Sequence, residues 1–374
     1  MSPSVCAETL VRLAILIPDL QAGGAQKSMV LLAEGLRSLG LDAELLVMRP
    51  TGIFAARAEA AGGMRVMGGG RARRSLPALV AYAHERRPDI VVSALPQAVL
   101  AAEAARLAGA RFHHVATVHG FPDVDLALAT GGIQRALVHL ARLSLKRADR
   151  IIAVSHALAA DLTGRDPRLA PRLAVAPNAV IDPADLLTGI RARDPQARGT
   201  APVIAYIGRL SPEKGIDALL DGFAAWPRGV AGHLVVAGDG PARASLEARA
   251  RRLGIGERVA FLGFQNDVRK LIDGADLVAL LSRREAFGNV LIEGLARGVP
   301  GLALAGSGGP EEIVAQGRYG VLAANATPAA IAAALEAAMA PAWTTQDLVA
   351  QARLHTVAAA ASHFRSALGV DPSR

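Results

Sequence analysis

Cysteine is almost absent from this 374-residue chain: Cys6 stands alone, so no internal disulfide can form, and a reducing cytoplasm is the expected setting. Aromatic residues make up only 3% against 52% hydrophobic, so the cores must be built from Ala, Val, Leu and Ile. Lysine is confined to Lys27, Lys146, Lys214 and Lys270, and arginine carries most of the net charge of +8. Long apolar runs are missing as well. Stretches such as Val11 to Pro18 fit a buried strand, not a membrane span. The first ten residues hold no basic stretch leading into an apolar one, so no secretory signal is expected. Cations without interleaved aromatics argue against nucleic acid as a partner.

What the chain does have is alternation. Strand-like runs at Val11–Pro18, Ala43–Met48, Ile90–Ser93, His114–Val118 and Ile151–Val154 are separated by helical patterns such as Gln26–Leu39 and Ile133–Lys146. A second series follows at Val203–Ile207, Leu234–Ala237, Val259–Leu262, Leu277–Leu281 and Gly301–Leu304. Strands apolar throughout and separated by helices indicate parallel sheets covered on both faces. Between the series, Ile181 to Pro202 is rich in Pro, Asp, Gly and Arg and lacks a period, as a linker would. The expected organisation is an α/β chain of two doubly wound, Rossmann-like domains, residues 1–185 and 202–342, joined by a linker at 186–201. They are expected to face a shared cleft, because ligands of open α/β sheets bind beyond the strands' carboxyl ends. A tail, 343–374, reads as one or two amphipathic helices with no strand to follow.

Four groups of residues carry chemistry. Gly23 and Gly24 follow the first strand and precede a helix, where bare backbone and helix amides can approach a phosphate; alone, the pair is equally a tight turn. Arg209 and Lys214 lie five positions apart at a strand-to-helix turn, a planar fork and a mobile point charge suited to a diphosphate. An arginine-rich chain that keeps a lysine here points to ammonium geometry. Glu285 and Glu293, eight positions apart across a loop and a helix start, suit vicinal sugar hydroxyls; the spacing by itself also fits a helix-dipole acid and a surface one. His119 ends a strand, at the expected cleft edge, or else caps the following turn. His113 and His114 sit at the opposite strand end, so no His-cluster metal site is expected. Asp123-Val124-Asp125 has the D-x-D metal pattern but reads as a solvated loop.

The strings GRLSPEKG and EAFGNVLIE, with GGAQ near the N-terminus and His119-Gly120, resemble the retaining family 4 glycosyltransferases of GT-B fold. The resemblance implies that Arg209 and Lys214 grip a donor diphosphate, with Glu285 and His119 completing the catalytic set. Glu293 would hold the donor ribose, Glu285 and His119 the transferred sugar, and Phe287, Gly288 and Asn289 would open the helix against that sugar. Gly23 and Gly24 would line the donor site. It implies no metal and no cofactor beyond a nucleotide-diphosphate-sugar co-substrate, UDP-linked by family frequency, and a glycan or lipid-linked acceptor of cell-surface polysaccharide or glycolipid synthesis. The tail would cross back onto the first domain. Ala286 departs from the family's usual glycine and could narrow the sugar pocket.

Two other classes fit the same scaffold: a nucleotide-sugar epimerase, which needs no acceptor groove, and a non-catalytic GT-B partner subunit, which needs no donor kit. A further expectation concerns an anionic membrane surface, contacted peripherally from the cytoplasmic side. Arg71, Arg73, Arg74, Arg86 and Arg87 bracket a predicted helix whose apolar stretch, Leu76 to Tyr82, could rest on a bilayer.

Overall fold

In strand β1 (Arg12–Ile17), Leu13, Ile15 and Ile17 face one way, Ala14 and Leu16 the other, and all five are buried. A strand apolar on both faces has to lie inside a sheet covered on both sides. The computed structural model describes residues 11–70, 72–182, 185–186, 201–227, 231–340 and 343–369, and it contains two such sheets. The first adds β2 (Asp42–Val47), β3 (Met64–Val66), β4 (Ile90–Ala94), β5 (His113–Val118), β6 (Arg150–Ala153) and β7 (Leu173–Val175). Its order is β3-β2-β1-β4-β5-β6-β7, with every pairing parallel.

The second sheet holds β8 (Val203–Ile207), β9 (His233–Ala237), β10 (Val259–Gly263), β11 (Leu277–Leu280), β12 (Gly301–Leu304) and β13 (Gly320–Ala323). Its order, β10-β9-β8-β11-β12-β13, is again wholly parallel. Winding therefore reverses between β1 and β4 in one sheet and between β8 and β11 in the other. These are the topological switch points of two Rossmann-like units, a GT-B-type composition.

The first unit comprises the chain through Ala153, Leu162–Ala179 and the segment from Val357; the second comprises Val154–Asp161 and Val180–Thr356. Each has its own aliphatic core. The second gathers Tyr206, Phe223 and Trp226 among Leu, Ile and Val. The tail forms two helices, Thr345–Arg353, which packs on the helix Asn289–Ala296 of the second unit, and Val357–Leu368, which packs on Gly24–Ser38 of the first.

The ten expected strands lie within one residue of observed ones at each end. The three that the pattern did not reveal, β3, β7 and β13, are sheet edges of three or four residues, paired on one side only. Most of the proposed linker falls outside the described residues. One expectation is overturned. In the helix Ala72–Arg86, Leu79, Tyr82 and Ala83 are buried core, and Leu76, Ala78 and Val80 pack against it, so that stretch is not free to rest on a bilayer. Arg71 and the side chain of Arg73 lie outside the described residues. Arg86 pairs with Glu44, which also accepts from Tyr82 Oη at 2.9 Å.

Candidate active site

Beyond β8 the chain runs through Gly208 and Arg209 to a tight turn at Pro212–Lys214, then Gly215, then the helix Ile216–Ala225. Gly215 has φ 67°, and a Cβ on it would stand 2.0 Å from the carbonyl oxygen of Leu281, just past β11. Only glycine lets the β8 turn come that close to the β11 end, and the approach brings Lys214 to Glu285. Lys214 Nζ donates to Glu285 Oε2 at 2.5 Å, and Ser282 Oγ donates to the same oxygen at 2.9 Å. Both members of the pair are about a fifth exposed (21% and 23%).

Backbone bonds fix the acid in place: the Glu285 amide donates to Ser307 O at 2.9 Å, and the Gly309 amide donates to Glu285 O at 3.0 Å. A Cβ at Gly309 would lie 2.4 Å from Ala286 O, so the two loops are in backbone contact. Phe287 is buried with its ring edge-on to His355 at 5.4 Å, and Gly288 caps the helix Asn289–Ala296. Glu293, half-buried, lies on that helix's second turn.

Arg209 is more open, at 55% exposure, and reaches Glu213 at 3.1 Å. Burial pushes the Glu213 carboxyl up, but a 2.5 Å hydrogen bond from Ser211, a backbone bond and the charges of Arg209 and Lys214 outweigh it and hold it below the usual range. Glu213, Ser282 and Ser307 were not singled out from sequence. Glu213 carried a signal, since it separates the two cations within the motif itself.

The remaining candidates lie in the first unit. Gly23 caps the helix Gly24–Ser38, and the preceding loop is tied by Gln26 Nε2 to Asp19 at 3.1 Å and Arg49 to Asp19 at 2.7 Å. His119 follows β5. The Thr117 hydroxyl donates to Ser93 O at 3.0 Å, so the 3.1 Å contact from His119 Nε2 to Thr117 Oγ1 requires the hydrogen on Nε2. Burial pushes the imidazole down to about 4, against the pull of the neighbouring Asn178 amide, so the ring is neutral near pH 7. His114, at the other end of β5, is held by Ser93 at 2.8 Å and Glu103 at 2.6 Å.

The D-x-D pair is not the solvated loop expected. Asp123 and Asp125 occupy the first turn of a helix, Pro122–Leu128, where Asp123 pairs with Arg165 at 3.3 Å. Burial, then the charge on Asp123, pushes the Asp125 carboxyl up to about 6. Asp125 and His119 share the lining of a cavity of about 330 Å³ whose other walls, Val99, Leu137 and Leu145 among them, are largely apolar.

The two sheets and the residues at their carboxyl edges define a GT-B-type protein. Two family models match the chain, "Glycosyltransferase Family 4" over residues 22–182 and "Glycosyl transferases group 1" over residues 191–355. The chain belongs to glycosyltransferase family 4. Among curated proteins it is 29% identical over 232 residues to N-acetyl-alpha-D-glucosaminyl L-malate synthase of Bacillus anthracis, covering 61% of this chain and 59% of that one. It is 35% identical over 122 residues to the lipopolysaccharide core biosynthesis glycosyltransferase LpsE of Rhizobium meliloti, covering 33% and 35%. A GDP-mannose-dependent phosphatidylinositol dimannoside mannosyltransferase of Mycobacterium tuberculosis is 38% identical over 111 residues, 29% of each chain. The matches thus span about three fifths of the first relative's length and about a third of the other two. In fold, the chain superposes on Anabaena HepE, solved with UDP and glucose, at TM-score 0.78 and 23% identity, covering 96% of this chain and 100% of that one. The lipopolysaccharide outer core galactosyltransferase WaaB matches at TM-score 0.72 and 20% identity, covering 96% and 99%.

Proposed function

We propose that the chain transfers a sugar, with retention of configuration, from a UDP-linked donor to a glycan or lipid-linked acceptor, working at an anionic membrane surface. The observation that carries the reading is the cluster at the second switch point, where Lys214, Glu285 and Ser282 converge beside Arg209. Support for the donor comes from HepE, solved with UDP and glucose. Support for a surface-glycan or lipid acceptor comes from relatives named for lipopolysaccharide core and for phosphatidylinositol dimannoside.

In this reading the donor diphosphate takes up Lys214 Nζ, which swings from Glu285, while Ser282 keeps that carboxylate in place to accept sugar hydroxyls. Glu293 accepts the two ribose hydroxyls. The backbone at Phe287, Gly288 and Asn289 meets the sugar. The bond from the anomeric carbon to the phosphate oxygen breaks with its electron pair moving to the diphosphate. There Arg209 and Lys214 stabilise the growing negative charge. The acceptor oxygen bonds to the same face of that carbon, and its proton passes to the departing phosphate oxygen. No metal enters the scheme.

Loss of one such charge stabiliser should cost about 10²–10³ in turnover. Lys214→Ala is therefore expected to lower UDP-sugar consumption by that factor with the fold intact by circular dichroism. Unchanged turnover would remove the leaving-group clamp from Lys214.

A further inference from the structure

Ten large apolar side chains are exposed among the described residues, and five of them lie between Leu126 and Leu143. Ile133, Leu140 and Leu143 are 80%, 50% and 45% exposed, and Leu126 and Leu128 are 40% and 37%. In the helix Gly132–Ser144, Ile133, Ala136, Leu140 and Leu143 follow one another at spacings of three, four and three. That is one face of a helix with 3.6 residues per turn. A different face of the same helix, with the buried Ala141, packs on the helix Pro96–Leu107, so the outer stripe is not needed for the fold.

The flank of the stripe is cationic. No Asp or Glu occurs between Asp125 and Asp149, whereas Arg135, Arg142, Lys146 and Arg147 do. Lys146 pairs with Asp166 and Arg147 with Glu103, but Arg135 and Arg142 have no acidic partner among the described residues. The face is built from Leu and Ile without the Tyr or Trp that mark protein interfaces. Aliphatic side chains beside unpaired guanidinium groups are what a surface helix presents to an anionic bilayer, where apolar burial and phosphate attraction act together.

We propose that this face, Ile133, Leu140 and Leu143 with Leu126 and Leu128 on the preceding helix, seats in an anionic lipid surface, Arg135 and Arg142 meeting the headgroup phosphates. It moves the membrane contact from the Arg71–Arg87 region, whose apolar residues are core, to a surface whose apolar residues are bare. The inference deepens the proposed function by naming where an acceptor on a bilayer would be met. Leu128 and Arg142 also line the cavity that holds His119, so the seated face and that cavity adjoin.

The test is flotation of the full chain with vesicles of phosphatidylcholine alone or mixed with phosphatidylglycerol, alongside UDP binding by calorimetry. Wild type is expected to float with the mixed vesicles at low salt, to be released at high salt, and to ignore pure phosphatidylcholine. The double variant Ile133→Asp, Leu140→Asp should stay with the soluble fraction and keep its UDP affinity. Arg135→Gln and Arg142→Gln should each weaken partition about fivefold, and Arg74→Gln should not change it. Failure of wild type to float, or equal flotation of the double variant, overturns the proposal. So does a self-associated wild type in sedimentation that Leu140→Asp dissociates without any vesicle binding. Flotation that persists in a chain unable to bind UDP would instead remove the donor reading and leave this surface standing.

Discussion

Asp125 shows how a residue's role depends on what covers it. An acid in the first helical turn is favoured by the helix dipole, by a few tenths to 1 kcal/mol. Here burial and the neighbouring Asp123 charge prevail, and the carboxyl rises to about 6. Because the folded carboxyl holds its proton more tightly than the unfolded one, stability falls as pH rises from about 4 through about 6, and the loss is complete above that. Asp125→Asn is therefore expected to stabilise the chain by about 1–2 kcal/mol near pH 8 and by almost nothing near pH 4. Urea titration at the two pH values checks it; equal gains at both would assign the effect to packing instead. None of this was legible in Asp-Val-Asp, which reads alike on a loop or a helix. The cover comes from a fold that three letters do not contain.

Among elements, the strands that cross the middle of each sheet were legible, together with the edge strand β10. Each middle strand is apolar on both faces, with three to five buried residues, and the longest buried runs are those of β1 and β4. The edges β3, β7 and β13 read as Met-Arg-Val, Leu-Ala-Val and Gly-Val-Leu-Ala, too short and too mixed to separate from loop. The site divides in the same way. GRLSPEKG and EAFGNVLIE single out by resemblance the loops after β8 and β11, but the bond from Lys214 to Glu285, 71 positions apart, follows from the pairing of β8 with β11.

The join between the first and last helices of the first unit is another such contact, and it makes a prediction. A Cβ on Gly35 would lie 2.7 Å from both Val357 O and Ala361 Cβ. Helix propensity alone makes Gly→Ala favourable by about 1 kcal/mol. Overpacking costs about 1–3 kcal/mol and should win, because one of the clashing atoms is backbone. Gly35→Ala is expected to lower stability and speed proteolysis of the Val357–Leu368 helix. A stabilised Gly35→Ala would mean the two helices part freely.

For the molecule as a whole, two separate aliphatic cores carry stability, so a ligand held by residues of one unit need not protect the other. The proposed diphosphate grip, Arg209 and Lys214, belongs wholly to the second unit, as do Glu285 and Glu293. A ligand at about 100 times its Kd stabilises what binds it by about 2.7 kcal/mol. For a unit of this size that corresponds to a rise of roughly 5–10 °C in its melting temperature. Scanning calorimetry with UDP, GDP and ADP in turn is expected to show UDP raising one melting component by that amount and leaving the rest in place. Lys214→Ala should remove most of the rise, since the diphosphate loses its point charge, while Asp125→Asn should keep it. A larger rise with GDP would replace UDP in the donor assignment and leave the grip intact. A rise that survives Lys214→Ala undiminished would separate nucleotide binding from the cluster at β8 and β11, and the proposed chemistry would have to be sought elsewhere in the fold.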